Sequence, residues 1–314
     1  MLIDTAAVTR FEASRNRLAS LAYRLLGSAA DAEDTVQDAF LRWHAADREY
    51  VEVPEAWLTK IVTNLALDRL RSAKMRRERA AGAWMPEPLL DGDPMLGPAD
   101  TLEQRESVTL AVLTLMERLS PVERAAYVLR EAFAYSHAEI ANILGTTESA
   151  SQQHIHRARR RIAAPRNGTD IDHAAARRIV DAFVDAASSG RTERLVALLT
   201  HDATGTSDGA GGLAKKLIRY STSARLAGAV RAGFKSSKAR RRLVGGAPSI
   251  HAAVVNGCPA MLVTLDDRIL GVTILEIRDN KIAGVRGIAA PARLGRLTAE
   301  WQRQERDVPL IESW

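Results

Sequence analysis

Polar side chains that can read the edges of DNA bases are concentrated in one short segment near the middle of the chain. Six of them recur at the spacing of one helical face: Ser149, Gln152, Gln153, His156, Arg157 and Arg160. Arginine offers paired donors to guanine, and glutamine offers a donor and an acceptor to adenine. Small and apolar residues that point inward fall on the opposite side: Ser151, Ile155, Ala158 and Ile162. The segment predicts a helix that binds duplex DNA with one face, and the alternative is an exposed polar helix with a basic end.

The residues before this helix predict the element that carries it. Ser120-Pro-x-Glu123 and Ser136-x-x-Glu139 both have the spacing of a capping box, which begins a helix. Gly145 can adopt the left-handed backbone that a tight turn requires, and a further helix begins near Thr147 and ends near Ile162. Two helices joined by a short glycine turn form a helix-turn-helix.

Two further polar faces lie on helices predicted near the start of the chain. One carries Asp34, Gln37 and Asp38. The other carries Trp57, Lys60, Asn64 and Arg71, and an aromatic ring beside cations and an amide suits single-stranded nucleic acid. The alternatives are core packing for the tryptophan and a solvated surface for the acids.

Composition limits the other classes of site. The 314 residues include 44 Lys and Arg against 38 Asp and Glu, a net charge of +6 that modestly favours an anionic partner. Cys258 is the single cysteine, which excludes an intrachain disulfide and favours a reducing compartment. His154 and His156 point to different sides of a helix, so we predict no metal and no cofactor. We find no membrane-spanning run and no signal peptide, and we expect a cytoplasmic protein without a membrane partner.

The pattern changes along the chain and predicts several domains. We expect all-helical domains at residues 1–80 and 102–165, a Pro/Gly-rich linker at 81–101, an α+β domain at 170–290 and a tail at 291–314. Helices are predicted at 174–188 and 193–199, and a glycine-rich turn at 205–212. Alternating residues predict four strands separated by hairpin turns, at 249–255, 259–265, 269–278 and 282–288. The tail is either a docked helix or a frayed terminus.

Together these motifs resemble a bacterial RNA polymerase sigma factor of the extracytoplasmic-function group. The resemblance rests on three stretches: Asp31-Ala-Glu-Asp-Thr-Val-Gln-Asp-Ala-Phe-Leu41, Pro54-Glu-Ala-Trp57 with Asn64 to Arg71, and the helix-turn-helix. It implies that Asp34, Gln37 and Asp38 bind core RNA polymerase. Trp57, Lys60, Asn64 and Arg71 would then hold the opened −10 strand, and the six polar residues of the recognition helix would bind the −35 duplex.

The second half of the chain resembles a SnoaL-like cone, in which helices cover a curved sheet. Sigma factors with this fused domain carry a Trp-Leu-Pro-Glu-Pro linker motif, similar here to Trp84-Met-Pro86-Glu87-Pro88. An Asp-Gly-Gly-Gly-Lys turn is represented by Asp208 and the residues that follow it, although a glycine replaces the lysine. The resemblance implies a regulatory domain with a pocket for an unidentified ligand.

Two other functions remain open at this stage. The chain could be a stand-alone helix-turn-helix regulator, although the faces around Asp34 and Trp57 argue against it. It could also be a SnoaL-type cyclase or isomerase with a DNA-binding appendage, for which Asp185, Asp202, Asp208 and His251 are the candidate acids and bases. We predict a non-enzymatic initiation factor that is regulated in cis by its SnoaL-like domain.

Overall fold

The structure is a computed structural model, and it describes residues 5–79, 85–97, 102–162, 172–209, 217–235 and 245–314. The chain divides into two compact units. Of the described residues, the first unit contains 5–79, 85–87, 92–97 and 102–162, and the second contains 88–91, 172–209, 217–235 and 245–314. Trp84 and the end of the predicted glycine-rich turn lie outside the described residues.

Three long helices form the first half of the first unit: α1 (Thr5–Leu26), α2 (Ala29–Ala45) and α3 (Pro54–Arg79). Ser28 caps α2 as predicted, because its side chain accepts a hydrogen bond from the backbone N–H of Asp31. The indole of Trp43 is buried and donates a hydrogen bond to the Ala7 carbonyl, 3.0 Å away, which ties α2 to α1.

Among its described residues, the first unit continues with five shorter α-helices: α4 (Leu102–Glu106), α5 (Leu110–Leu115), α6 (Pro121–Glu131), α7 (His137–Leu144) and α8 (Glu148–Ile162). Both predicted capping boxes are formed, with reciprocal hydrogen bonds between Ser120 and Glu123 and between Ser136 and Glu139. Gly145 follows α7 with a φ of 63°, which an L side chain rarely adopts. The predicted helix-turn-helix is therefore present as α7 and α8.

Most of residues 85–97 are buried or half-buried, whereas Gly92 and Pro94 are exposed. Met85, Leu89, Leu90 and Met95 are all buried, and a short 3₁₀ turn covers Pro94–Leu96. The Pro/Gly composition correctly predicted the absence of a long helix here, because proline cannot continue one. It did not reveal the buried apolar side chains that lie between the prolines.

The second unit combines a six-stranded sheet with four helices among the described residues. Its elements are α9 (His173–Ser188), α10 (Thr192–Leu198), β1 (Leu199–Ser207), β2 (Ile218–Tyr220), α11 (Ser223–Phe234), β3 (Ser249–Val255), β4 (Cys258–Leu265), β5 (Arg268–Arg278), β6 (Lys281–Ile288) and α12 (Pro291–Arg303). The strand order is β2-β1-β6-β5-β4-β3, and the β1–β6 pair is parallel whereas the other pairs are antiparallel. The predicted α+β class is correct.

One expectation for this unit needs correction. Gly205 was predicted in a turn but lies in β1, paired with Val285 of β6. The glycine is needed there because a Cβ atom would lie 2.5 Å from the Leu226 side chain of α11. The strands β1 and β2 and the helix α11 were not predicted from the sequence.

The core of the second unit lies between the sheet and α9 to α11, where Phe183, Leu195 and Leu226 pack against Leu275 and Val285. The tail contains a docked helix, since α12 buries Leu294, Leu297 and Trp301 and packs along β5. Beyond α12 the chain pairs with the edge of the sheet, where Ile250 N–H donates to the Ile311 carbonyl at 2.8 Å. Among the described residues, we find no helix with the length and apolarity that a membrane crossing requires.

Candidate nucleic-acid and polymerase interface

The face of α8 predicted to bind DNA is presented to solvent. Its six polar residues are all exposed: Ser149, Gln152, Gln153, His156, Arg157 and Arg160. The predicted inward stripe is buried against α6 and α7, with Ser151, Ile155 and Ala158 at 2% exposure or less. The packing of α8 therefore separates its two faces in the way that groove binding requires.

A buried carboxylate holds two arginines of this helix. Glu123 of α6 lies 3.2 Å from Arg157 Nε and accepts a hydrogen bond from Arg161 Nη1 at 2.7 Å. It also accepts one from the Ser120 N–H at 3.0 Å. Burial raises the pKa of Glu123, but the Ser120 hydrogen bonds and the charges of Arg161 and Arg157 outweigh burial and hold that pKa below its ordinary value.

The Arg157 guanidinium is further constrained on its own helix. Its Nη2 lies 3.0 Å from His154 Nδ1. Burial lowers the pKa of His154, and the charge of Arg157 lowers it further, which favours the neutral ring that can accept from Arg157. With Nε at Glu123 and one Nη2 hydrogen at His154, Arg157 retains three of its five N–H donors, two on Nη1 and one on Nη2, for a base.

The acidic face of α2 surrounds an arginine of α3. Arg69 donates to Asp38 Oδ2 at 2.8 Å and lies 3.8 Å from Asp34 and 3.9 Å from Asp31. Asp34 and Gln37 are exposed, and Asp38 is half-buried. The face therefore presents more carboxylates than the one arginine can neutralise, which leaves acceptors available to a partner.

The side chains predicted to hold an opened strand differ in exposure along α3. Lys60 and Arg71 are exposed, whereas Trp57 and Asn64 are half-buried. The Trp57 ring packs against the Trp43 ring, with centroids 5.6 Å apart, so part of its surface belongs to the core. Arg71 pairs with Asp68 at 3.0 Å on the same helix.

Two family models match the first unit. The Sigma-70 region 2 model matches residues 10–76, and the Sigma-70 region 4 model matches residues 109–162. The ECF RNA polymerase sigma factor SigJ of Mycobacterium tuberculosis is 42% identical over 205 residues, which is 65% of this chain and 65% of that protein. The probable ECF RNA polymerase sigma factor SigI of the same species is 32% identical over 295 residues, and this alignment covers 92% of this chain and 95% of SigI.

This chain belongs to the ECF RNA polymerase sigma factors. The crystal structure of M. tuberculosis SigJ matches with a TM-score of 0.67 at 32% identity and covers 91% of this chain and 98% of that chain. The likeness extends over both units, so the sigma domains are followed by an α+β domain in both proteins. A sigma factor is a transcription initiation factor rather than an enzyme, in agreement with the prediction from the sequence.

Within the first unit of this sigma factor, the predicted linker motif contacts the helix that carries the acidic face. Pro86 is buried. Glu87 Oε2 accepts a hydrogen bond from the Ala29 N–H at 2.7 Å, and the Glu87 carbonyl accepts one from the Tyr23 hydroxyl at 2.7 Å. Glu87 is thereby placed at the first residue of α2, where a carboxylate also complements the helix dipole.

Within the second unit, Pro88 and the residues after it lie beside the β3–β4 turn. Leu89 N–H donates to Asn256 Oδ1 at 2.8 Å, and Asn256 N–H donates to the Leu89 carbonyl at 2.9 Å. Asp208 is buried at the end of β1, where its carboxylate accepts hydrogen bonds from the backbone N–H groups of Ala289 and Ala290. The acid of the predicted turn is thus bound to the start of α12.

The four candidate acids and bases of the enzymatic alternative do not assemble. Asp185 is exposed on α9, and Asp202 pairs with Arg278. His251 lies edge-on to the Trp301 ring. Burial lowers the pKa of His251, as do the charges of Arg306 and Arg177, whereas a hydrogen bond that the ring donates to the Asp307 backbone carbonyl raises it. No hydrogen bond joins any two of these four within the part of the chain that the structure describes.

Sequence reasoning missed the contacts of two residues that shape these surfaces. Glu123 was recognised only as a helix cap, because its arginine partners lie more than thirty positions away. Arg69 matched the family pattern, but no local spacing links it to Asp38 on another helix. Both are contacts between helices, which periodicity within one helix does not report.

Proposed function

We propose that this sigma factor binds core RNA polymerase through α2 and promoter DNA through α3 and α8. Asp34, Gln37 and Asp38 contact the polymerase. Trp57, Lys60, Asn64 and Arg71 bind the opened −10 strand, and the six exposed residues of α8 bind the −35 duplex. The observation that carries this proposal is the helix-turn-helix itself, whose second helix exposes all six predicted polar side chains on one face.

The dependence of promoter melting on core polymerase distinguishes this function from that of a stand-alone regulator. We expect permanganate footprinting on a cognate promoter to show unpaired thymines near −10 only when core polymerase and the full chain are both present. Protection of the −35 region should accompany the melting. A stand-alone regulator would protect one block of duplex and give no reactive thymines with or without core polymerase.

We further propose that the second unit regulates the first in cis, in the cytoplasm, and that its cone binds an unidentified small ligand. A domain on the same chain acts at a high effective concentration and needs no separate inhibitor. We assign this regulation to the predicted linker, residues 81–101. Its support is Glu87, which accepts a hydrogen bond from the first N–H of the polymerase-binding helix α2. Trp84, Pro86, Pro88 and Asp208 would share this regulatory role.

Glu87→Gln tests this regulatory role of the predicted linker. Glutamine keeps the length of the side chain but removes the charge at the start of α2, so we expect a changed dependence of transcription on core polymerase concentration in the full chain. Glu12→Gln provides the matched control, because Glu12 is exposed on α1 and pairs only locally with Arg15 in the described contacts. If the two variants show the same dependence of transcription on core polymerase concentration, the predicted linker has no regulatory role.

A further inference from the structure

The turn between α6 and α7 contacts the α1–α3 bundle through an aromatic pair. Arg17 of α1 donates from Nη2 to the Tyr135 hydroxyl at 2.6 Å and from Nη1 to Thr59 Oγ1 at 3.2 Å. The Tyr135 hydroxyl also lies 3.1 Å from Thr59 Oγ1. The Arg17 guanidinium lies 5.4 Å from the centroid of the Phe133 ring and 5.4 Å from that of the Tyr135 ring.

The turn is held in a fixed shape while it makes these contacts. Ala134 has a φ of 56°, and Tyr135 N–H donates to the Leu129 carbonyl at 3.1 Å. Arg130 Nη1 donates to the Tyr135 carbonyl at 2.9 Å. The aromatic pair is therefore presented by a rigid turn rather than by a loop that must be ordered on contact.

A second contact involves a residue assigned to DNA. Lys60, next to Thr59 on α3, donates to Asn142 Oδ1 of α7 at 3.4 Å. In this closed arrangement Tyr135 and Asn142 occupy donors of Arg17 and Lys60, whose side chains are otherwise exposed, and Thr59 is buried. We call the surface formed by Arg17, Thr59 and Lys60 the α1–α3 surface.

A promoter-bound sigma factor cannot keep this arrangement. The −35 and −10 elements are about 25 base pairs apart, which is roughly 80 Å of duplex. Helices α3 and α7 touch in the first unit, so α3 and α8 cannot reach both elements while the contact lasts. The contact between Tyr135 and the α1–α3 surface must open when the promoter binds.

We propose that the α1–α3 surface binds an unstacked base and the adjoining phosphate of the opened strand, and that Tyr135 competes with that strand for the surface. A guanidinium that stacks on aromatic rings can stack on a nucleobase, because both offer a π face. The Thr59 hydroxyl donates its proton to the Glu55 carbonyl at 2.8 Å, so it can accept from a base amino group, and Lys60 supplies the charge for a phosphate. This inference rests on the proposed function and adds Arg17, Thr59 and Tyr135 to it.

Strand affinity of the full chain tests the competition. The probe is a fluorescein-labelled single-stranded oligonucleotide with the non-template −10 sequence of a promoter that the full chain transcribes, followed by anisotropy. Tyr135→Phe keeps the ring and removes both hydroxyl contacts, so we expect the strand to bind about three- to tenfold more tightly. Tyr220→Phe, in the second unit, should leave the affinity unchanged. Unchanged affinity for Tyr135→Phe overturns the competition.

Arg17→Ala distinguishes a role of Arg17 in strand binding from a role only in holding the closed arrangement. It releases Tyr135 but also removes the stacking group, so we expect weaker strand binding than for Tyr135→Phe. If Arg17→Ala binds the strand as tightly as Tyr135→Phe, Arg17 holds only the closed arrangement and the base site is wrong. Thermal unfolding of both variants identifies any that fail to fold.

A comparison of one double-cysteine protein with and without a cross-link removes the dependence on stability differences between variants. In Lys60→Cys/Asn142→Cys, a short bismaleimide can join α3 to α7, while Cys258 is spared because it is buried and burial raises its pKa to about 12. We expect the cross-linked protein to lose strand binding and transcription at least tenfold relative to the same protein without cross-linker. Its binding of −35 duplex should persist.

The outcomes keep the two proposals apart. Normal strand binding and transcription by the cross-linked protein would overturn the competition and leave the proposed function standing. Absence of any transcript with core polymerase from the unmodified full chain would instead defeat the proposed function.

Discussion

The carboxylate of Glu123 lies 3.2 Å from Nε of Arg157, so a buried acid at the start of α6 holds an arginine of the predicted DNA-binding face of α8. The same carboxylate accepts from Arg161 and from the Ser120 N–H. One side chain therefore caps a helix and fixes the orientation of another. Its removal should affect both stability and recognition.

Replacement of Glu123 by glutamine should destabilise the chain by about 1–2 kcal/mol at pH 7, because a charge-assisted hydrogen bond is lost while the shape is kept. Urea unfolding followed by circular dichroism measures the loss. Glu131→Gln is the control, since Glu131 also pairs with an arginine of α8, Arg159, but without the capping role. Equal losses for the two variants would contradict a special role for Glu123.

The stability difference between wild type and Glu123→Gln should depend on pH. The folded pKa of Glu123 is below the ordinary value of 4.5, so its contribution is fully present above that value and is lost as pH falls through the folded pKa. Urea unfolding at a series of pH values should show the two proteins converging in acid. A difference that persists unchanged in strong acid would show that the charge of Glu123 is not its cause.

The helical half of the protein could be predicted well because its signals are local. Ser120, Ser136 and Gly145 determine helix ends within four residues of themselves, and the structure has them in those roles. The exposed face of α8 follows from its apolar stripe. The docking of Tyr135 on Arg17 could not be predicted, because it joins residues 118 positions apart.

Arg157→Ala should weaken binding at a cognate −35 duplex by about 1–3 kcal/mol if the arginine leaves Glu123 to read a base. Fluorescence anisotropy on cognate and randomised duplexes measures the difference. Arg159→Ala is the comparison, because Arg159 is bound to Glu131 and lies outside the six predicted residues. Equal weakening on both duplexes would make Arg157 a phosphate contact.

Asp38→Arg should reduce the affinity for core polymerase at least about tenfold, since it reverses charge on the face of α2 and repels Arg69. Titration of labelled sigma factor with core polymerase measures this affinity. Glu12→Arg makes the same charge change on an exposed position of α1. Core affinity that is equal for the two variants would contradict the assignment of α2 to the polymerase.

Asp208→Asn should destabilise the second unit by about 1–3 kcal/mol, because a buried carboxylate that accepts from two backbone N–H groups becomes a neutral amide. Differential scanning calorimetry of the full chain should show a lowered transition. The exposed Asp202 provides a comparison, and Asp202→Asn should have a smaller effect. An unchanged transition for Asp208→Asn would leave Asp208 without a structural role.

The second unit was only partly predictable. Four strands alternate clearly and are joined by turns with positive φ at Asn256, Gly257 and Asp279, so their positions could be read from the sequence. The parallel pairing of β1 with β6 is long-range, with Gly205 opposite Val285, and no turn signal connects them. Gly205 was taken for a turn residue because the reason for a glycine, the nearby Leu226 side chain, exists only in the folded unit.

The most direct test of the account is run-off transcription from a randomised promoter library with core polymerase and the full chain. The account predicts transcripts from templates that share two conserved blocks, one near −35 and one near −10. It also predicts that His156→Ala alters only the first block and Asn64→Ala only the second. Transcripts with a single conserved block, or no transcript above core polymerase alone, would contradict the assignment of α8 and α3 to two separate promoter elements.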